Sequence, residues 1–155
     1  MTRAVLLWMI PLNLVLVAWV WLGRMLFGMG GLMVLVYLLT LVPVLLVGLL
    51  VTTVLSLTQP GRPRDLTRSQ ARAQLAVWGG MLVFGAVSIE YGDTLGASEE
   101  GDVSLLIRLL GDNDLGWAAT FVGMGLAALV TVGAWVSLLV TLTAGRRAAT
   151  TRVPA

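Results

Sequence analysis

Four long apolar stretches alternate with polar ones along the chain, at about residues 4–22, 32–57, 73–90 and 115–143. Each is continuously apolar rather than alternating with period two. Most are around 20 residues or longer, the length a helix needs to cross the hydrocarbon core of a bilayer. Only helices or closed barrels satisfy their backbone groups in lipid, and the unbroken runs favour helices. The pattern predicts an all-α polytopic membrane protein: an antiparallel bundle of four transmembrane helices filling about residues 1–145. A chain of 155 residues leaves no room for a separate soluble domain.

The segments between the runs set the threading. Residues 58–74 carry Arg62, Arg64, Arg68 and Arg72 against the single acid Asp65, and Asp65 or Thr67 is a suitable N-cap for the third helix. Residues 23–31 form a tight, Gly-rich turn. Residues 90–116 form the longest polar segment and are acidic. Within it residues 103–110, VSLLIRLL, read as a short amphipathic helix between Asp102 as N-cap and Gly111 as stop, lying on the outer membrane surface or on the bundle. Residues 146–155 read as a basic, disordered tail. Arg62, Arg64, Arg68, Arg72, Arg146, Arg147 and Arg152 all fall on one side of the predicted membrane, and Arg24 and Arg108 on the other. Basic residues in short loops stay in the cytoplasm. The expected topology therefore has both termini cytoplasmic, in a multi-pass protein of the plasma membrane.

Within the runs, Pro43 removes a backbone donor and should kink the second helix. Trp8, Trp19, Trp21, Trp78 and Trp117 fall near helix ends, as interfacial indoles do. Ala76 and Gly80, and Gly116, Thr120, Gly123 and Ala127, give the third and fourth helices thin faces for close packing. Thr52 and Ser56, and Ser137 and Thr141, are spaced to bond carbonyls one turn back or to meet across a helix pair. Residues 49–53 followed by Gly61 and Arg62 resemble residues 138–143 followed by Gly145 and Arg146, so a parallel two-plus-two duplication is conceivable, although composition alone produces such matches. Asn13 is the most polar side chain inside the first run, and such an amide most often bonds a neighbouring helix.

Composition narrows the chemistry. The chain is 58% hydrophobic, has no Cys and no His, and all ten of its basic residues are Arg. Mean hydropathy is +0.94. Arg without Lys points to a GC-rich, bacterial source. Without His or Cys, the common zinc sites and the Cys–His and Ser–His–Asp arrangements cannot be built. No P-loop or dinucleotide fingerprint is present. The expected reading is a non-enzyme with no metal and no cofactor.

Two sets of residues stand out as candidate contacts. Arg64, Arg68 and Arg72 recur every four residues and are candidates for lipid headgroup contact. Glu90, Asp93, Glu99, Glu100 and Asp102 are candidates for an outer acidic docking surface; Glu90 and Asp93 could in principle serve acid–base work, and the group a divalent cation. The expected partners are the lipid bilayer and either a protein partner or further copies of the chain, with no nucleic acid. The function this suggests is an accessory or scaffold subunit of a larger membrane complex. The alternative is a homo-oligomeric pore, transporter or holin-like protein. No residue run is diagnostic of a known family.

Overall fold

A computed structural model describes residues 2–27, 32–59, 65–89 and 104–150, and within them every regular element is helical. Helix α1 spans Thr2–Leu22 and continues without a break past Pro11. A 3₁₀ turn, Gly23–Phe27, closes the first corner. The second apolar run is two helices, α2 (Leu32–Leu39) and α3 (Leu41–Leu57). Pro43 causes the break, as expected, although the break falls one turn upstream. The pyrrolidine ring cannot donate and crowds the carbonyl four residues back, at Leu39. Thr40 covers the gap: its N–H and its hydroxyl both donate to the Val36 carbonyl, at 3.0 and 2.6 Å.

Helix α4 (Arg68–Val87) begins earlier than the apolar run it contains, because Thr67 caps it. Thr67 Oγ1 accepts from the Gln70 N–H at 3.3 Å, and Gln70 Oε1 accepts from the Thr67 N–H at 2.9 Å. This reciprocal pair satisfies two donors that a helix start otherwise leaves open. The exposed Asp65 takes no part in that capping pair. Helix α5 (Leu105–Leu110) is capped by Ser104 rather than by Asp102, and Gly111 ends it at φ +91°. Helix α6 (Asp114–Thr150) has 37 residues and continues well past the end of its apolar run. Residues 146–150, expected to be disordered, extend this helix. Arg and Ala are strong helix formers, and cations suit a helix C-terminus. Residues 151–155 lie outside the described residues.

Successive long helices alternate in direction, but the bundle is not antiparallel throughout. Helix α1 lies between α3 and α4, and α6 packs along α4 and touches α3. Asn13 meets Gln74 and Trp78, while Trp19 reaches Leu82, so α1 and α4 run parallel. Trp135 meets Gly48 and Arg146 meets Leu55, so α3 and α6 also run parallel. The antiparallel pairs are α1 with α3 and α4 with α6. In this order α1 and α4 are neighbours, whereas a two-fold repeat about the membrane normal would place them at opposite corners. The two hydroxyl pairs also differ in setting: Thr52 and Ser56 are buried, whereas Ser137 is exposed.

Among the described residues three helical stretches are long and apolar enough to cross a membrane: Arg3–Leu22, Val34–Leu57 and Asp114–Arg146. Helix α4 falls short of that measure because Arg68, Gln70, Arg72 and Gln74 lie in its first half. Yet α4 is the centre of the fold. Its Gln70, Gln74, Val77, Trp78 and Met81 are buried against the neighbouring helices. The other helices turn large apolar side chains outward, among them Leu14 (57% exposed), Leu50 (63%) and Leu129 (71%). An apolar exterior around a partly polar core is the reverse of a water-soluble bundle.

Candidate functional site

The core is polar at one level, where α1, α3 and α4 meet. Asn13 is 5% exposed and lies midway along α1. Its Oδ1 accepts from Trp78 Nε1 at 2.7 Å and from Gln74 Nε2 at 3.2 Å, and its Nδ2 donates to Thr53 Oγ1 at 3.1 Å. Thr53 in turn donates to the Leu49 carbonyl at 2.7 Å. The amide orientations follow from chemistry. An indole N–H is only a donor, so the Asn13 atom facing Trp78 must be oxygen. Gln74 must then present its NH₂ to that same oxygen, and this leaves Gln74 Oε1 buried with no hydrogen-bond partner. Thr52 and Ser56, one helix face on, return their hydroxyls to carbonyls of their own helix. None of these groups carries charge or titrates near neutral pH. The cluster links three helices through neutral hydrogen bonds; it is not arranged for proton transfer.

Indole N–H groups recur as links. Trp19 donates to the Leu82 carbonyl at 2.9 Å, Trp21 to Val34 at 3.0 Å and Trp135 to Gly48 at 3.1 Å. Glycines make room for two of these rings. A Cβ at Gly85 would lie 2.6 Å from the Trp19 ring, and one at Gly48 would lie 3.3 Å from Trp135. Expected as interfacial anchors, Trp19 and Trp21 are half-buried and tie helices together, whereas Trp8 is exposed on the outer face.

At the end of the bundle shared by Thr2 and the helix α6 C-terminus, Arg146 donates to the Leu55 carbonyl at 3.4 Å and to the Thr58 hydroxyl. Leu55 is in the last turn of α3, where carbonyls lack helical partners. At the opposite end Ser104 Oγ accepts from the Ile107 N–H at 3.2 Å and lies 2.8 Å from Thr120 Oγ1. Thr120 gives its own proton to the Gly116 carbonyl, so Ser104 is the donor to Thr120. Ser104 and Ile107 therefore bind α5 down on α6, and Arg108 and Leu109 face outward. Ser104 and Arg108, placed on one face by their spacing, thus have opposite environments.

Of the candidate headgroup contacts, Arg68 and Arg72 are exposed on the first turns of α4, and Arg64 lies outside the described residues. Glu90, Asp93, Glu99, Glu100 and Asp102 also lie outside them, and with them the proposed acidic surface. Among the described residues no group of His, Cys, Asp and Glu could hold a metal ion. The cavities are apolar and open sideways. Two, of about 140 and 170 Å³, adjoin between α3, α4 and α6, with Leu45, Met81, Thr131 and Val132 common to both. Another, of about 370 Å³, runs between α1 and α3.

Sequence reading singled out Asn13 but missed its partners. Gln70, Gln74 and Trp78 are four apart on one face of an otherwise apolar helix, and that stripe was the available signal. Nothing in the sequence pointed Arg146 at α3. Compared with models of known protein families, with curated proteins and with solved structures, the chain matches none.

Proposed function

We propose that this chain is a four-span integral membrane protein of the cytoplasmic membrane, with both termini in the cytoplasm. In this reading it is a non-catalytic accessory or scaffold subunit of a larger membrane complex. One observation carries the reading: Asn13, Thr53 and Trp78 are turned inward and hydrogen-bonded to one another through Asn13, while the outward faces of α1, α3 and α6 are mostly apolar. Among the described residues the fold offers neither an aqueous path through its centre nor a titratable group in its core. What it offers other molecules is surface in the plane of the membrane.

Helix α4 fits as the fourth span. Its 20 residues cover about 30 Å at 1.5 Å per residue, of which the first turns, with Arg68 and Arg72, lie at the headgroups and the rest enters the hydrocarbon core. Its glutamines face protein, so lipid never meets them. The exposed Arg68 and Arg72 at its start then sit at the headgroups, on the side where positive charge is retained.

The test is purification in mild detergent followed by mass spectrometry of the intact assembly. A different protein in fixed ratio supports the subunit reading. A defined homo-oligomer replaces it with a pore or carrier formed between copies. A bare monomer removes both.

A further inference from the structure

The groove between α1 and α3 is apolar and has an exposed cation beyond its lower end, on the stripe of its α1 wall. Ile10, Leu14 and Val17 form one wall, and Leu46, Leu50 and Leu57 the other. Asn13 and Thr53 reach its floor, but their contacts with each other and with Leu49 leave the lining apolar. From Leu46 to Leu57 the groove is about 16 Å long at 1.5 Å per residue. Its α1 wall repeats at Ile10 and Val17, seven residues apart. Seven residues before Ile10, on the same stripe, is Arg3, which is exposed. The chain thus presents an open apolar channel along its side and a guanidinium about two turns beyond its lower end.

We propose that this groove holds one acyl chain of an anionic phospholipid, with the Arg3 guanidinium on its phosphate. The proposal rests on the membrane-spanning reading above. Charge decides the occupant: an apolar partner helix would use the walls but not the arginine, and a phospholipid uses both. Arginine suits the contact because its fork matches phosphate oxygens and its stem can lie along the helix toward the interface.

The full chain in mild detergent would be mixed with phosphatidylglycerol and phosphatidylcholine of identical acyl chains in equal amounts, and retained lipid read by native mass spectrometry. One lipid per chain is expected, with the anionic one favoured about fivefold, or about 1 kcal/mol for one arginine at an anionic surface. Arg3→Gln should abolish the preference while keeping a lipid bound. Leu50→Trp and Leu14→Trp, both at exposed wall positions, should fill the groove and lower retention of both lipids. No retained lipid, a preference unchanged by Arg3→Gln, or retention unchanged by both tryptophans overturns the proposal. Flotation with phosphatidylcholine vesicles separates the two readings: a chain that fails to float loses the membrane assignment itself, and one that floats but retains no lipid loses only the groove.

Discussion

Gly80 lies against Thr131, so that a Cβ added at position 80 would collide with the Thr131 hydroxyl and come within 3.1 Å of the Ala127 carbonyl oxygen. The adjacent Gly79 faces open space. Two neighbouring glycines thus have opposite roles. Gly80 is a point of close approach of α4 to α6, and Gly79 is a helix residue with no packing duty. Gly80→Ala should destabilise the fold by about 1–3 kcal/mol, the range for overpacking a filled site. Gly79→Ala should be neutral or stabilise by up to about 1 kcal/mol through helix propensity. Thermal unfolding of both variants in one detergent checks the contrast, and equal shifts would contradict the packing described.

The Asn13 cluster predicts an uneven response to substitution. Asn13→Leu strands the buried donors of Gln74 and Trp78 and should cost about 1–3 kcal/mol. Trp78→Phe removes one bond and leaves Gln74 on Asn13, so it should cost less on that count. Gln74→Met loses a bond but also removes the unpartnered Oε1, and a swap of similar volume should stay within about 1.5 kcal/mol of the parent. Asn13→Leu combined with Gln74→Met should cost less than the two singly, because the stranded amide is gone. Additive losses would mean that the two side chains do not share the contact.

Arg146 ties α6 to the last turn of α3. Arg146→Ala should leave the Leu55 carbonyl without its cross-helix donor and speed amide exchange at residues 55–58, with little change around Asn13. Hydrogen exchange by mass spectrometry resolves the two regions. The loss in stability should be about 0.5–1.5 kcal/mol, that of an ordinary hydrogen bond.

The parts of this fold legible in the sequence are those governed by periodic, local physics. Unbroken apolar runs mark α1, α3 and α6; Pro43 marks the break at Thr40; Thr67 marks the start of α4. What was not legible depends on which helices become neighbours. Alternating direction along the chain does not say which helices are neighbours: α1 lies beside α4 because of Trp19 over Gly85 and Asn13 between Gln74 and Trp78. These are contacts between residues more than 60 positions apart. Helix α6 was ended too early for a different reason: hydropathy falls after Thr143, while helix propensity and the Arg146 contact do not.

The number of spans can be read directly because the chain contains no cysteine. Single cysteines at Asp65, Leu109 and Ala144, all exposed, report separately on the start of α4, on α5 and on the lower part of α6. If α4 spans the membrane, a membrane-impermeant maleimide added to intact cells should label Leu109→Cys and reach Asp65→Cys and Ala144→Cys only after permeabilisation. If α4 instead lay on one side, Asp65 and Leu109 would share a compartment and label together. Labelling of Asp65→Cys and Ala144→Cys but not Leu109→Cys would keep the four spans and reverse the orientation. The positions of Arg62, Arg64, Arg68, Arg72, Arg146 and Arg147 argue against that outcome, because moving such a cluster of arginines across the membrane opposes the rule that retains basic loops in the cytoplasm.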